Sequence, residues 1–331
     1  MSFDYCNRTD FIHTAQFQQL VLHTISIISI PIYIYGFFCI LCKTPSTMNS
    51  VKWSMINVHV FSCLFDLALS LFTAPFVLFP VLAGYPLGIL KEFGVSTENQ
   101  VYIVVFIGAF MLVAISIFFE NRLFIFVLTN KKLHRYAIPT YILHYIFPLV
   151  VVPQIINIPD QEAGRNNFQQ KFGCIPPYVE IDRMFYLTMK KRYFLITCAV
   201  FICITFAEVW LFAFITDRLI KKQVQGSMSQ NTAAVHRKFQ RAFILQILIP
   251  FVIVFLPIFY IGVTCISEYH NQFFNNITII INSSHGFFST IAMIALHAPY
   301  RNYTRKLLPS CRRFNSVVFS STPQRVGVAS F

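Results

Sequence analysis

Long uncharged stretches, broken by short clusters of lysine and arginine, organise this chain. The first runs from about Leu20 to Cys42. The second follows Lys52 and continues to about Val81, with Asp66 inside it; the third runs from about Gln100 to Phe119 and meets Glu120-Asn121-Arg122. Four more lie between Arg135 and Asp160, Arg192 and Asp217 (with Glu208 inside), Arg241 and Glu268, and Glu268 and Arg301. A stretch of about 20 such residues spans about 30 Å of hydrocarbon as a helix. The stretches are apolar on all sides and too long for the alternating strands of a barrel. In lipid, only a helix satisfies the backbone of a lone segment. The pattern predicts an all-α membrane protein, a seven-transmembrane-helix bundle over residues 20–300. A short N-terminal segment (1–19) precedes it, and a tail (301–331) follows with a short interfacial helix that Pro309 limits.

Charge sets the expected orientation. The connectors after the first, third and fifth stretches, with the tail, hold eighteen Lys and Arg. The other side holds eight, alongside nine acids. The basic side is expected to be cytoplasmic, so the N-terminus is outside and the C-terminus inside. MSFDYCNRTD carries no basic segment leading into a short apolar core, so the first span is expected to serve as its own signal.

Composition agrees with the pattern and narrows function. Residues are 56% hydrophobic and 12% charged, against about 25% charged in soluble domains. The net charge of +13 lies in connectors and not on one folded face, which argues against nucleic acid. The nine cysteines form no metal-ligand spacing, and no metal or cofactor is expected. No H-E-x-x-H, G-x-S-x-G or paired acidic motif occurs, so no enzyme and no catalytic residue is expected.

The chemistry-bearing residues are few. Asp66 is a carboxylate inside a span, costly unless paired, hydrated or protonated, and is read as a bundle-facing polar hub. Glu208 is placed toward the cytoplasmic side and read as polar packing. Pro250 and Pro257 interrupt the sixth span, and Pro31, Pro75, Pro148 and Pro153 are expected inside others; Pro257 is a candidate pivot. Aromatics crowd the expected outer halves. Tyr102, Phe106 and Phe110 recur every four residues and share a helix face. With Phe194, Phe255 and Phe259 they are candidates to line an apolar pocket for a small ligand. Cys6 and Cys174 lie outside and are a candidate disulfide, with Cys265 a competing partner. Asn7, in Asn7-Arg8-Thr9, is the usable glycosylation sequon. Asn276 and Asn282 lie at or in the membrane and Asn302 faces the cytoplasm. Cys311 is a candidate for palmitoylation.

Several segments resemble the nematode serpentine chemoreceptors of class h: KTPSTMNSVKWSMINVH (43–59), AGYPLG (83–88), GVSTENQVY (94–102), SIFFENRLF (116–124), IPDQEA (158–163) and HAPYR (297–301). They are spread over nearly the whole chain in family order. The resemblance implies a chemosensory G-protein-coupled receptor, with a small-molecule odorant or pheromone and a heterotrimeric G protein as partners beside the lipid bilayer. It implies a plasma-membrane location, at sensory-neuron cilia. It also places Glu120 and Arg122 where seven-helix receptors carry an acidic-x-Arg switch, and adds Tyr300 and Arg301 as coupling candidates. The chain departs from rhodopsin-like receptors: it has no Cys at the outer end of the third helix, and HAPY stands where they carry Asn-Pro-x-x-Tyr. A ligand-gated channel or a small-molecule transporter is the alternative; the odd span count and the lack of a repeat weigh against a transporter.

Overall fold

The computed structural model describes residues 10–127, 131–172, 176–226 and 230–307. Cys6, Asn7, Cys174 and Cys311 lie outside them. Most of the described chain is helical. The bundle is built from α1 (Ala15–Lys43), α2 (Asn49–Leu67), α3 (Thr97–Val127), α4 (Lys131–Ile155), a short α5 (Gln161–Phe172), α6 (Lys191–Gly226), α7 (Gln230–Ser267), and α8 (Gln272–Asn282) with α9 (His285–Leu296). The helix α10 (Ala298–Leu307) follows. Among the described residues, five helices are long and apolar enough to cross a membrane: α1, α2, α3, α4 and α6. The α8–α9 pair, bent by 40° at its break, is a sixth by length and composition when the two helices are counted as one span, and α7 carries the shorter apolar stretch Phe251–Ser267.

The second apolar stretch does not stay helical to Val81. The α2 helix ends at Leu67, passes through a five-residue π-turn (Ala68–Phe72), and turns at Ala74, whose φ is +42°. Residues Pro75–Leu78 then form β1, and Ala83–Pro86 form β2, an antiparallel hairpin with Phe76 opposite Tyr85. Pro75 therefore opens a strand and is not inside a helix. Proline at the first strand position leaves no ladder donor missing where one is needed. A third short strand, β3 (Phe185–Tyr186), pairs with β2. AGYPLG needs its glycines here: a Cβ on Gly84 or on Gly88 would stand 2.3 Å from a facing carbonyl oxygen, of Phe76 or Phe72 respectively.

The seventh stretch is also not one helix. It breaks between Asn282 and His285, where the Ser283 and Ser284 hydroxyls both donate to the Ile280 carbonyl, at 3.0 and 2.8 Å. Hydroxyls that bond back onto the preceding turn substitute for backbone partners and bend helices. Elsewhere helices run longer than the apolar stretches imply. The α3 helix continues seven residues past Glu120, and α6 and α7 extend through most of the polar 217–241 connector. α5 is a helix within the connector between the fourth and fifth apolar stretches.

Two apolar cores sit at the two ends. At one end the hairpin packs into the bundle: Phe76, Leu78, Ala83, Tyr85 and Leu87 cluster with Ala15 and Leu22 of α1, Phe168 of α5 and Ile279 of α8. At the α10 end, Cys39 and Ile40 of α1, Met55 of α2, Phe118 and Phe119 of α3, Ala213 of α6, Val254 of α7, Met293 of α9 and Tyr300 of α10 form the larger core.

Candidate functional site

Charged residues inside the bundle need partners, and the sequence around each decides which helix supplies them. Asp66 sits in C-L-F-D-L-A-L-S on the buried face of α2. Its Oδ2 accepts from the Tyr33 hydroxyl of α1 at 2.5 Å and from the backbone N–H of Phe287 at 3.0 Å. Phe287 is the third residue of α9, so Asp66 caps the second half of the broken span. A helix start leaves N–H groups without intrahelical partners and carries partial positive charge. The break at Ser283-Ser284 creates that start inside the bundle, and the carboxylate answers it. Gly286 permits the approach: a Cβ there would lie 2.8 Å from the Ser62 carbonyl and 3.1 Å from Asp66 Oδ2. Ser70 donates back to the Asp66 carbonyl and accepts from Ser26 of α1 at 2.6 Å, while His59 lies 3.0 Å from the Tyr33 carbonyl. Asp66 therefore joins α1, α2 and α9.

A second cluster lies toward the α10 end. His144 of α4 sits between two carboxylates: Nε2 is 2.9 Å from Glu208 Oε1 of α6, and Nδ1 is 3.8 Å from Glu120 Oε2 of α3. The same Nδ1 is 2.9 Å from the Thr140 carbonyl. A carbonyl can only accept, so Nδ1 carries hydrogen. The Nε2–Oε1 contact then needs a proton of its own, shared by the ring and Glu208. Glu208 thus has a specific partner. The α4 helix also offers Tyr141, which donates to Asn121 of α3 at 3.4 Å, and Tyr145, which pairs with Asn57 of α2. Residues 141, 144 and 145 recur at three and four positions, one face of a helix. That face ties α4 to three neighbours.

Arg122, two residues beyond Glu120, points elsewhere. It is buried at 5% exposure and close enough to His297, at the α9–α10 junction, to act on it electrostatically. The His297 ring meets the Tyr300 ring edge-on at 5.7 Å. Tyr300, fully buried, shares a 2.7 Å hydrogen bond with Thr44 at the end of α1 and approaches the Met55 sulfur. Arg301 donates to the Ala295 carbonyl at 2.8 Å, covering the last turn of α9. HAPYR is thereby the joint at which α1, α2, α9 and α10 meet. Pro257 is buried in α7.

The aromatic column of α3 is present: the Tyr102–Phe106 and Phe106–Phe110 rings stack at 6.3 and 6.1 Å. Its upper part packs with Val152 and Ile156 of and just beyond α4, and Phe110 meets Phe61 of α2 and Tyr145 of α4. Phe194 instead joins Phe79, Leu82 and Cys265 at the hairpin tip. Leu187 packs against both groups. Phe255 and Phe259 stack on the outside of α7, 42% and 60% exposed, on a surface that lipid would cover. Asn276 is buried, its amide donating to the Ile12 carbonyl. Cys265 is a buried thiol whose Sγ lies 3.8 Å from the Pro80 carbonyl oxygen.

Sequence reasoning missed Tyr33, His144 and the Phe287 amide. His144 had a signal, an imidazole inside an apolar stretch. Tyr33 and a backbone N–H had none. Among the described residues, no cluster of three or more His, Cys, Asp or Glu could hold a metal ion.

Comparison with known proteins agrees with this architecture. The profile of the family described as "Serpentine type 7TM GPCR chemoreceptor Srh" matches residues 13–310. "Serpentine receptor class H-72" of Caenorhabditis elegans is 24% identical over 293 residues, covering 86% of this chain and 83% of that protein. The matched region takes in the Asp66 hub, the Glu120–His144–Glu208 cluster and the HAPYR joint, and the chain belongs to the Srh family of serpentine seven-transmembrane chemoreceptors.

Proposed function

We propose that the protein is a chemosensory receptor that binds a small extracellular ligand near the hairpin end and signals to a heterotrimeric G protein at the α10 end. The hairpin end is then extracellular and α10 cytoplasmic, at the plasma membrane of a sensory cell and its cilium. One observation carries this reading: Arg122, His297 and Tyr300 lie buried where α1, α2, α9 and α10 join, two residues of α3 beyond a cluster that ties α3, α4 and α6 together. A receptor needs such a joint, because a ligand shifts a conformational equilibrium only by its differential affinity for two arrangements.

The ligand contacts we favour are Tyr102, Phe106, Phe110 and Phe194. Leu187 touches both the α3 column and the hairpin-tip group, so a molecule between them would bear on both. Their apolar faces suit a small, largely apolar compound. The coupling residues are Asp66, Glu120, Arg122, Pro257, Tyr300 and Arg301. The basic groups of α10 and the 43–52 connector suit anionic lipid and an acidic partner surface.

A ligand panel on heterologously expressed protein, read by calcium or cyclic nucleotide, tests the reading. A ligand-evoked signal that disappears in cells lacking G proteins is expected. A ligand-evoked current that persists in those cells would make the protein a channel. Epitope tags at the two ends should be reached from opposite faces of intact cells; tags on one face would refute the orientation.

A further inference from the structure

The hairpin end is shut by side chains that hold backbone carbonyls of the hairpin from outside it. Gln272 donates to the Val77 carbonyl at 3.1 Å, and His270 Nδ1 lies 2.7 Å from the Phe79 carbonyl. The carbonyl only accepts, so Nδ1 carries hydrogen and the neutral ring presents a bare Nε2. The Tyr178 hydroxyl, 3.3 Å from Nε2, donates to it. On the other side Tyr178 stacks with His13, ring centroids 6.0 Å apart at 24°. His13, buried, lies on the turn before α1; Tyr178 lies between α5 and β3; His270 lies between α7 and α8. One phenol between two imidazoles thus joins three connections and, through Phe79, the hairpin.

We propose that His13, Tyr178 and His270 form an acid-sensitive latch: a proton taken up by His270 at Nε2 displaces the hydrogen bond from Tyr178, unsettles the stack of Tyr178 on His13 and loosens the cap over the hairpin end. A proton on Nε2 turns an acceptor into a donor, so Tyr178 must redirect its own hydrogen. A cation in this half-buried place also loses hydration. Burial, with His13 nearby, already holds the His270 imidazole below its ordinary range despite the Phe79 bond. Histidine is the side chain whose charge changes in mildly acidic medium. The folded cap favours neutral His270. Its contribution is therefore complete above the ordinary imidazole value of about 6.5 and is lost as pH falls from there toward the depressed value.

The charged and titratable groups around the latch, among the described residues, come from each neighbouring element. Asp10, on the turn itself, lies 3.8 Å from His13 Nδ1. The connection holding Tyr178 also holds Glu180 paired with Arg183, and Asp182 paired with Arg165 of α5. Arg183 lies over the Tyr85 ring of the hairpin. Beside His270 stand Tyr269 and Glu268, the latter paired with Lys191 of α6, and Tyr260 of α7 feels both Tyr269 and Cys265.

The test is hydrogen exchange of the full chain in lipid nanodiscs, at about pH 7.5 and about pH 5.5, with exchange times corrected for the chemical pH dependence. No ligand or G protein is needed, so failure here leaves the receptor reading standing. Peptides spanning 75–88 should exchange about fivefold faster at the lower pH, the size expected when one imidazole charges only part of the way between the two conditions. Peptides spanning 111–120 should not change. His270→Asn keeps a donor near Nδ1 but does not titrate, and should abolish the dependence; His13→Gln should reduce it. Unchanged exchange of 75–88 in the unaltered protein overturns the proposal, and so does an equal rise in 111–120. Should His270→Asn fail to fold, His13→Gln alone decides: a dependence equal to that of the unaltered protein counts against the latch.

Discussion

The two ends of this bundle are closed by different kinds of contact. At the hairpin end the closure is made by connecting segments, and neutral side chains grip backbone carbonyls: Gln272 on Val77, His270 on Phe79 and Asn276 on Ile12. At the α10 end and along the axis toward it, helices are joined directly, and ionisable side chains are buried among them: Asp66 on α9, His144 between Glu120 and Glu208, Arg122 near His297. Neutral bonds exchange against water at a net of about 0.5–1.5 kcal/mol each, and so can open singly. A buried charge without its partner costs several kcal/mol, so the charged joints hold or rearrange together. The difference suits a molecule that admits something at one end and reports it at the other.

Removing Asp66 should have the largest effect. Asp66→Ala orphans the Tyr33 hydroxyl and the Phe287 amide, each at about 1–3 kcal/mol. The melting temperature of the purified receptor should fall sharply, with Asp66→Asn falling less because one acceptor remains; an Ala variant as stable as the parent would remove the cap from the account. Next is Gly286→Ala. Overpacking a tight site costs about 1–3 kcal/mol, and the added methyl would press on the Ser62 carbonyl and Asp66. Surface expression and melting temperature should both drop, and little change would mean that α2 and α9 are not in close contact.

Smaller still is the coupling between His144 and Glu208. A double-mutant cycle with His144→Gln and Glu208→Gln should yield an interaction energy of about 0.5–3 kcal/mol, and additivity would mean that the shared proton holds nothing. The smallest effect belongs to the hairpin. Gln272→Ala should cost about 1 kcal/mol and speed exchange in 75–88 without touching 111–120. An equal effect on both regions would erase the contrast between the ends.

The spans were readable because lipid asks only for length and the absence of charge, and both are local properties. The hairpin was not. Residues 72–81 carry no charge, and an uncharged apolar run looks the same as strand or helix. Pro75 and Pro80 were the available signal. The break in the last span had a similar small sign in Ser283-Ser284-His285-Gly286. Asp66, Glu120 and Glu208 stood out as charges in oily surroundings, yet their partners lie on other helices, at sequence distances no pattern reports. The four-residue period of Tyr102, Phe106 and Phe110 revealed a shared face but not that it meets α4 and α2. In Phe255 and Phe259, aromatic character said nothing about which side of α7 they occupy.

Arg122→Ala, compared with the parent receptor at matched surface density and read by ligand-evoked G-protein signalling, tests the central claim most directly. Arg122 lies buried near His297 of HAPYR and about three turns of α3 beyond Phe110, so the variant should reach the surface and bind ligand but lose its signal. Full signalling from the variant would contradict the account.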